Sequence, residues 1–98
     1  MEMNFEELAN SGDWYVRLGA AQIPNCPIYL LEKLADDNIL NVRYGVATNP
    51  NCPVYLLEKL VDDEHGYIRY GVVKNPNCPQ YVKDYIKAKS FMSEITLQ

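Results

Sequence analysis

Apolar and polar positions follow a helical period along this chain, break, and resume in the same order. In Pro27–Asp37, PIYLLEKLADD, residues Leu30, Leu31 and Leu34 fall at helical spacing with Glu32 and Lys33 on the other side, and Pro53–Asp63 copies the segment. A second helical stretch, ILNVRYGVATN, sets Ile39, Val42 and Val46 in one stripe and has counterparts at Trp14–Gln22 and Gly66–Lys74. Gly45 and Gly71 permit close backbone approach but weaken an isolated helix by about 1 kcal/mol each, so this element needs its neighbours and can be a 3-10 helix in part. The breaks carry two prolines: Asn49-Pro50-Asn51-Cys52-Pro53 returns as Asn75–Pro79 and, with Ile23 in place of the first asparagine, as Ile23–Pro27. The first proline cannot continue a helix and the second suits the first turn of a new one. Cysteine at the expected N-cap is a weak acceptor, so Asn25, Asn51 and Asn77 are expected to share the capping.

These elements are copies of one unit. Asn25–Pro50 and Asn51–Pro76 agree at 17 of 26 positions. A fixed period in this range marks units too small to bury their own apolar face, which stack on one another to do so. One step earlier, Phe5, Leu8 and Ala9 stand in the places of Leu31, Leu34 and Ala35, and Val16-Arg17 in those of Val42-Arg43. One step later, Val82 and Ile86 keep the pattern, while Lys83 replaces Leu57, as suits an end unit. The chain therefore reads as a single repeat domain over 1–98, with units at about 3–24, 25–50, 51–76 and 77–87. A tail follows at 88–98, in which Phe91, Met92, Ile95 and Leu97 fit no column. Three roles suit the tail: a capping segment, an oligomer contact, or a disordered end. A homodimer through an end repeat or this tail is compatible with so short a stack.

The unit V-R-x-x-V-A-x-N-P-x-x-P-x-x-L-L-x-x-L-A-x-D resembles the leucine-rich repeat variant family, a relative in architecture of HEAT and armadillo repeats. Val42-Arg43, Val46-Ala47, Asn49-Pro50, Pro53, Leu56-Leu57, Leu60 and Asp62 or Asp63 carry the likeness, which covers about residues 3–87. It implies an all-α, right-handed solenoid of about three to three and a half units, alternating a long helix with a short helix or 3-10 turn. It also implies a role as an interaction scaffold. The 26-residue period is longer than the family's usual one, so a more fully formed second helix is expected, as in HEAT repeats. The family's iron–sulfur module needs a clustered cysteine set that this sequence lacks, so no cofactor is carried over.

Composition narrows the function classes. The net charge of −4 gives no general attraction to nucleic-acid phosphate or an anionic membrane. No apolar run approaches the roughly 18 residues of a membrane span, and the acidic start is unlike a secretory signal, so a soluble cytoplasmic protein is expected. Cys26, Cys52 and Cys78 repeat at intervals of 26. Stacked helices bring equivalent positions to about 8–10 Å, beyond the reach of a disulfide or a shared zinc ion, so the thiols are expected to be free and packed, with no metal.

Two columns are candidates for function. Arg17, Arg43 and Arg69 recur once per unit behind Asp36-Asp37 and Asp62-Asp63, which points to a charge ladder between units. Asn10 and Ser11 stand where the first unit would have its aspartates, so a rung is expected to be missing there. The outward face of the second helix gathers Tyr15, Leu18 and Gln22, then Asn41, Tyr44 and Thr48, then Tyr67, Tyr70 and Lys74. These nine vary between copies while the core repeats, so they are the candidate surface for an unidentified protein partner, on a concave face. The alternative is a solvated face whose tyrosines lie over the core. A second row, Tyr29, Tyr55 and Tyr81, is constant and is assigned to packing between units. Two other functions compete with protein binding: a nucleic-acid groove lined by Arg17, Arg43, Arg69 and Lys74, against which the net charge argues, and a small acidic inhibitor or mimic. One histidine, His65 beside Glu64, and scattered carboxylates supply no convergent catalytic set, so no enzyme is expected.

Overall fold

A computed structural model describes residues 3–97, with side chains as far as residue 92. The described residues form seven helices and no strand: α1 Phe5–Ala9, α2 Trp14–Gln22, α3 Ile28–Leu34, α4 Leu40–Ala47, α5 Val54–Leu60, α6 Gly66–Lys74 and α7 Gln80–Leu97. The second helices α2, α4 and α6 lie side by side in that order. On them sit the first helices: α1 against α2 and α3, α3 against α2 and α4, α5 against α6, and α7 against α6. The molecule measures 56 × 23 × 16 Å with a radius of gyration of 14.3 Å. A rounded domain of this length would have about 13 Å, so the chain is somewhat elongated.

In the first three units helix lengths reverse the expectation, whereas α7, the first helix of the fourth, has 18 residues. The first helices α1, α3 and α5 have 5, 7 and 7 residues, and the second helices α2, α4 and α6 have 9, 8 and 9. Pro27 and Pro53 are the cause at one end, because they occupy the N-cap instead of the first turn. At the other end the Asp37 and Asp63 carboxylates each accept the N–H two residues on, from Ile39 and His65, at 2.9 Å, which turns the chain before the next helix. The second helices are α-helical, with 3-10-type bonds in the entry and exit turns, such as Val42 N–H to Ile39 O at 3.0 Å and Asn75 N–H to Val72 O at 3.1 Å.

Capping is also arranged differently. No side chain caps α3 or α5. Asn51 instead donates its Nδ2–H to Cys26 O of the preceding unit at 2.9 Å, and Asn77 donates likewise to Pro50 O. These asparagines join units and cap nothing. The worn first copy has caps of its own: Asn4 and Glu7 form a capping box on α1, and Asp13 accepts the Tyr15 N–H at the start of α2.

The core is the expected one. Leu31, Leu57, Val42, Val46, Ile68 and Val72 are fully buried, and Leu30, Leu34, Leu56 and Leu60 nearly so. Ile39 falls outside the stripe's centre: it is the N-cap of α4 and only half-buried. Lys83, in the column of buried Leu57, is half-exposed. Past Lys87, α7 simply continues as helix, leaving Phe91 and Met92 each 60% exposed; the side chains of Ile95 and Leu97 lie outside the described residues.

All three cysteines are free and buried. Burial raises each thiol, and Cys52 is pushed up to about 12, whereas at Cys78 the charge of Lys83 opposes the rise. Because the thiolate is the reactive form, iodoacetamide at about pH 8 should modify Cys78 first and leave Cys26 and Cys52 untouched while the fold persists. Urea beyond the unfolding midpoint should open all three. Peptide mass spectrometry reads the order, and native Cys52 reacting as fast as Cys78 would contradict the packing.

Candidate functional site

Most conserved columns are consumed in joints between units. The best satisfied is the asparagine before Pro50 and Pro76. Asn49 Nδ2 donates to Ala21 O at 2.7 Å and Ile23 O at 2.9 Å, and its Oδ1 accepts the Asn51 N–H at 2.7 Å. Asn75 repeats this one unit on, donating to Ala47 O at 2.7 Å and Asn49 O at 2.8 Å and accepting from Asn77 N–H at 2.8 Å. Both side chains are buried, and each reaches back to the unit before. Ile23 occupies this column in the first unit, where the described residues hold no earlier carbonyls to reach.

Among the described residues the arginine–aspartate pairs are two, Arg17 with Asp37 and Arg43 with Asp63; they run forward and use only one aspartate of each Asp-Asp doublet. Arg17 grips Asp37 through Nε at 2.7 Å and Nη2 at 3.2 Å; Arg43 grips Asp63 at 2.8 and 3.3 Å. Each pair spans 20 residues, from one unit to the next. The missing rung is therefore not at Ser11, as the sequence suggests, but at Arg69, which pairs with no carboxylate among the described residues. Asp36 and Asp62 serve exposed bridges instead, to Lys59 at 2.7 Å and Lys89 at 3.1 Å. Burial pushes the Asp37 and Asp63 carboxyls up. Hydrogen bonds from Arg17 and Arg43 and from the Ile39 and His65 N–H groups, with the guanidinium charges, outweigh it and hold both below the usual carboxylate range. The bond to Asp37 likewise raises Arg17.

The constant tyrosine row is tied down as well. Tyr29, Tyr55 and Tyr81 donate their hydroxyls to Glu6, Glu32 and Glu58 at 2.7, 2.6 and 2.5 Å. Tyr85 adds a bond to Asp62 at 3.0 Å. These bonds to carboxylates raise the phenols of Tyr29, Tyr55 and Tyr81.

The variable row on the second helices is different. Its first members act as knobs between units: a Cβ on Gly45 would stand 3.0 Å from Leu18 Cδ1, and one on Gly71 would stand 2.9 Å from the ring of Tyr44. The two glycines are thus seats for the preceding unit's side chain, and Gly19, with nothing within 4 Å, is an empty seat. Leu18 and Tyr44 are half-buried in consequence; Thr48 is half-buried too, and its Oγ1 donates back to Tyr44 O at 3.0 Å. Tyr15, Gln22, Asn41, Tyr67, Tyr70 and Lys74 are exposed. Tyr67 stacks on Tyr44 at 4.4 Å between centroids and on Tyr70 at 6.5 Å, and the Lys74 ammonium lies 5.4 Å from the Tyr70 ring. Trp14, which the sequence does not single out, extends the row by an edge contact with Tyr15 at 5.6 Å. Burial, then the neighbouring Tyr67, raises the Tyr44 phenol.

Among the described residues no group of three or more His, Cys, Asp or Glu side chains is placed to hold a metal ion, and no helix is long and apolar enough to cross a membrane. Compared with known proteins, the chain matches no family model, no curated protein and no solved structure.

Proposed function

We propose that the chain is a right-handed α-solenoid of the leucine-rich repeat variant kind and works as a non-enzymatic scaffold in the cytoplasm. It would bind a protein partner on the second-helix face that carries Tyr15, Gln22, Asn41, Tyr67, Tyr70 and Lys74, with Leu18, Tyr44 and Thr48 as its floor. One contrast carries this reading. Tyr55 and Tyr81 are 53% and 58% exposed, Tyr67 and Tyr70 55% and 53%, yet the first pair is bound to carboxylates and the second pair hydrogen-bonds to no carboxylate among the described residues. Stacked, rigid, amphipathic rings left free for a partner are the residue type that dominates binding hot spots. The nine positions include no carboxylate in a chain with 13 acidic residues, so Lys74 sets the sign of the face. A nucleic-acid groove finds less support, since Arg17 and Arg43 are committed to aspartates.

Two double variants test the reading. Tyr67→Ala with Tyr70→Ala should weaken capture of the cellular partner by about 30-fold or more, in line with loss of hot-spot residues, while melting shifts by no more than about 4 °C. Tyr55→Ala with Tyr81→Ala, of equal exposure, should leave capture intact. The opposite pattern, measured by quantitative affinity capture and circular dichroism, would move the binding surface to the first helices.

A further inference from the structure

Arg69 ends the arginine series with half of its hydrogen-bonding capacity unspent. Its Nη1 donates to Asp63 O at 2.7 Å, just as Arg17 Nη1 donates to Ser11 O and Arg43 Nη1 to Asp37 O at 2.8 Å each. All three guanidiniums are therefore anchored to the carbonyl six residues earlier. In the first two, the remaining Nε–Nη2 edge holds a carboxylate bidentately. In the third, the residue in the aspartate's column is Lys89, and α7 passes through that position as helix without turning. Lys89 directs its ammonium to Asp62 at 3.1 Å. Arg69 lines a cavity of about 230 Å³ with Ile86, Lys89 and Ser90, a lining that among the described residues has two cations, one hydroxyl and no acid. Tyr70, the next residue, is 53% exposed, whereas Tyr44, its equivalent, is half-buried over Gly71. Two of the contacts made between earlier units, the arginine fork and the seated side chain, are thus open here among the described residues, while Tyr81, Tyr85 and Lys89 still tie α7 to the unit before.

We infer that Arg69 is a receptor for a carboxylate, and that an aspartate or glutamate side chain of a partner protein docks on its Nε–Nη2 edge as Asp37 docks on Arg17. The chain itself supplies the precedent for geometry and ligand. A planar fork held in place by a backbone carbonyl loses little freedom on pairing and matches a carboxylate with two parallel bonds. With Lys89 already paired to Asp62, the cavity keeps one positive charge without a carboxylate among the described residues, which suits a carboxylate better than a phosphate dianion. The site lies off the nine-residue tyrosine face and stands or falls without it.

The probe is a synthetic peptide of residues 37–48, the segment whose Asp37 sits on Arg17 in the intact molecule. Titrated into the isotope-labelled full chain to about 5 mM, a range in which weak charge-assisted contacts register, it should shift the Arg69 Nε–H resonance saturably and leave Arg17 and Arg43 in place. The same peptide carrying Asp37→Asn should bind at least about tenfold more weakly, and Arg69→Lys in the full chain, which keeps the charge but loses the fork, should cost about tenfold. No saturable shift, equal response to both peptides, movement shared by all three arginines, or a stronger response to inorganic phosphate than to the aspartate peptide would each overturn the inference.

Discussion

Asn49→Ala should lower the melting temperature by at least about 8 °C. The substitution strips the partner from the Ala21 carbonyl and from the Asn51 N–H, while the Ile23 carbonyl keeps the Cys26 N–H at 2.9 Å. A buried polar group left unpaired costs about 1–3 kcal/mol, so the two amount to roughly 2 kcal/mol at the least. For a chain of this size each kcal/mol moves the midpoint by about 4–8 °C. Asn51→Ala is the control, because its side chain is exposed and makes one joint bond, to Cys26 O. Thermal melts followed by circular dichroism compare the two. Equal losses would mean that the asparagine before the proline is no more than one contact among many.

Arg43→Met should cost about 3–5 kcal/mol, the usual consequence of removing one partner of a buried ion pair. Asp63 would keep the His65 N–H but lose its counter-ion, with its side chain only 10% exposed. The pH dependence separates this cause from lost packing. In the native chain Asp37 and Asp63 have depressed values, so their contribution is fully present above the ordinary carboxylate pKa of about 3.9 and is lost as pH falls through the folded values. Without Arg43, burial, the largest influence on Asp63, is opposed mainly by the His65 N–H, and the carboxyl rises from its depressed value, so the variant carries a penalty at neutral pH that protonation relieves. The gap in melting temperature between native chain and variant should therefore narrow from about pH 7 to about pH 4. Adding Asp63→Asn to Arg43→Met should recover part of the loss at neutral pH. A gap that stays constant with pH, together with no recovery in the double variant, would place the effect in packing alone.

Much of this architecture is legible in the sequence, and the illegible part has one physical source. The bounds of α2 and α6, Trp14–Gln22 and Gly66–Lys74, follow from stepping the repeat, as do the buried leucines and the packed thiols. A column in a repeat tells which residues are equivalent but not which neighbouring unit each one faces. Arg17 and Asp37 are 20 residues apart, Tyr55 and Glu32 23, Asn49 and Ala21 28, some running forward and some back. The direction is written only where a copy departs from the pattern. Ile23 marks that the asparagine reaches backward, and Lys89, in the column of Asp37 and Asp63, marks that the arginine reaches forward. The division of the nine variable positions into floor and surface was hidden for the same reason, since it depends on Gly45 and Gly71 receiving side chains from the unit before.

The backward asparagine and forward arginine give the stack a polarity with a consequence for self-association. A molecule built of like units with two unlike ends is the geometry that propagates into filaments whenever one copy's tail fits the next copy's head. Here the first described unit carries Ile23 in place of the amide that would reach back to a neighbour's carbonyls, and Ser11 in place of the carboxylate that Arg69 of that neighbour would grip. Two side chains thus withhold from open-ended polymerisation the two bonds that the joints between the first, second and third units keep.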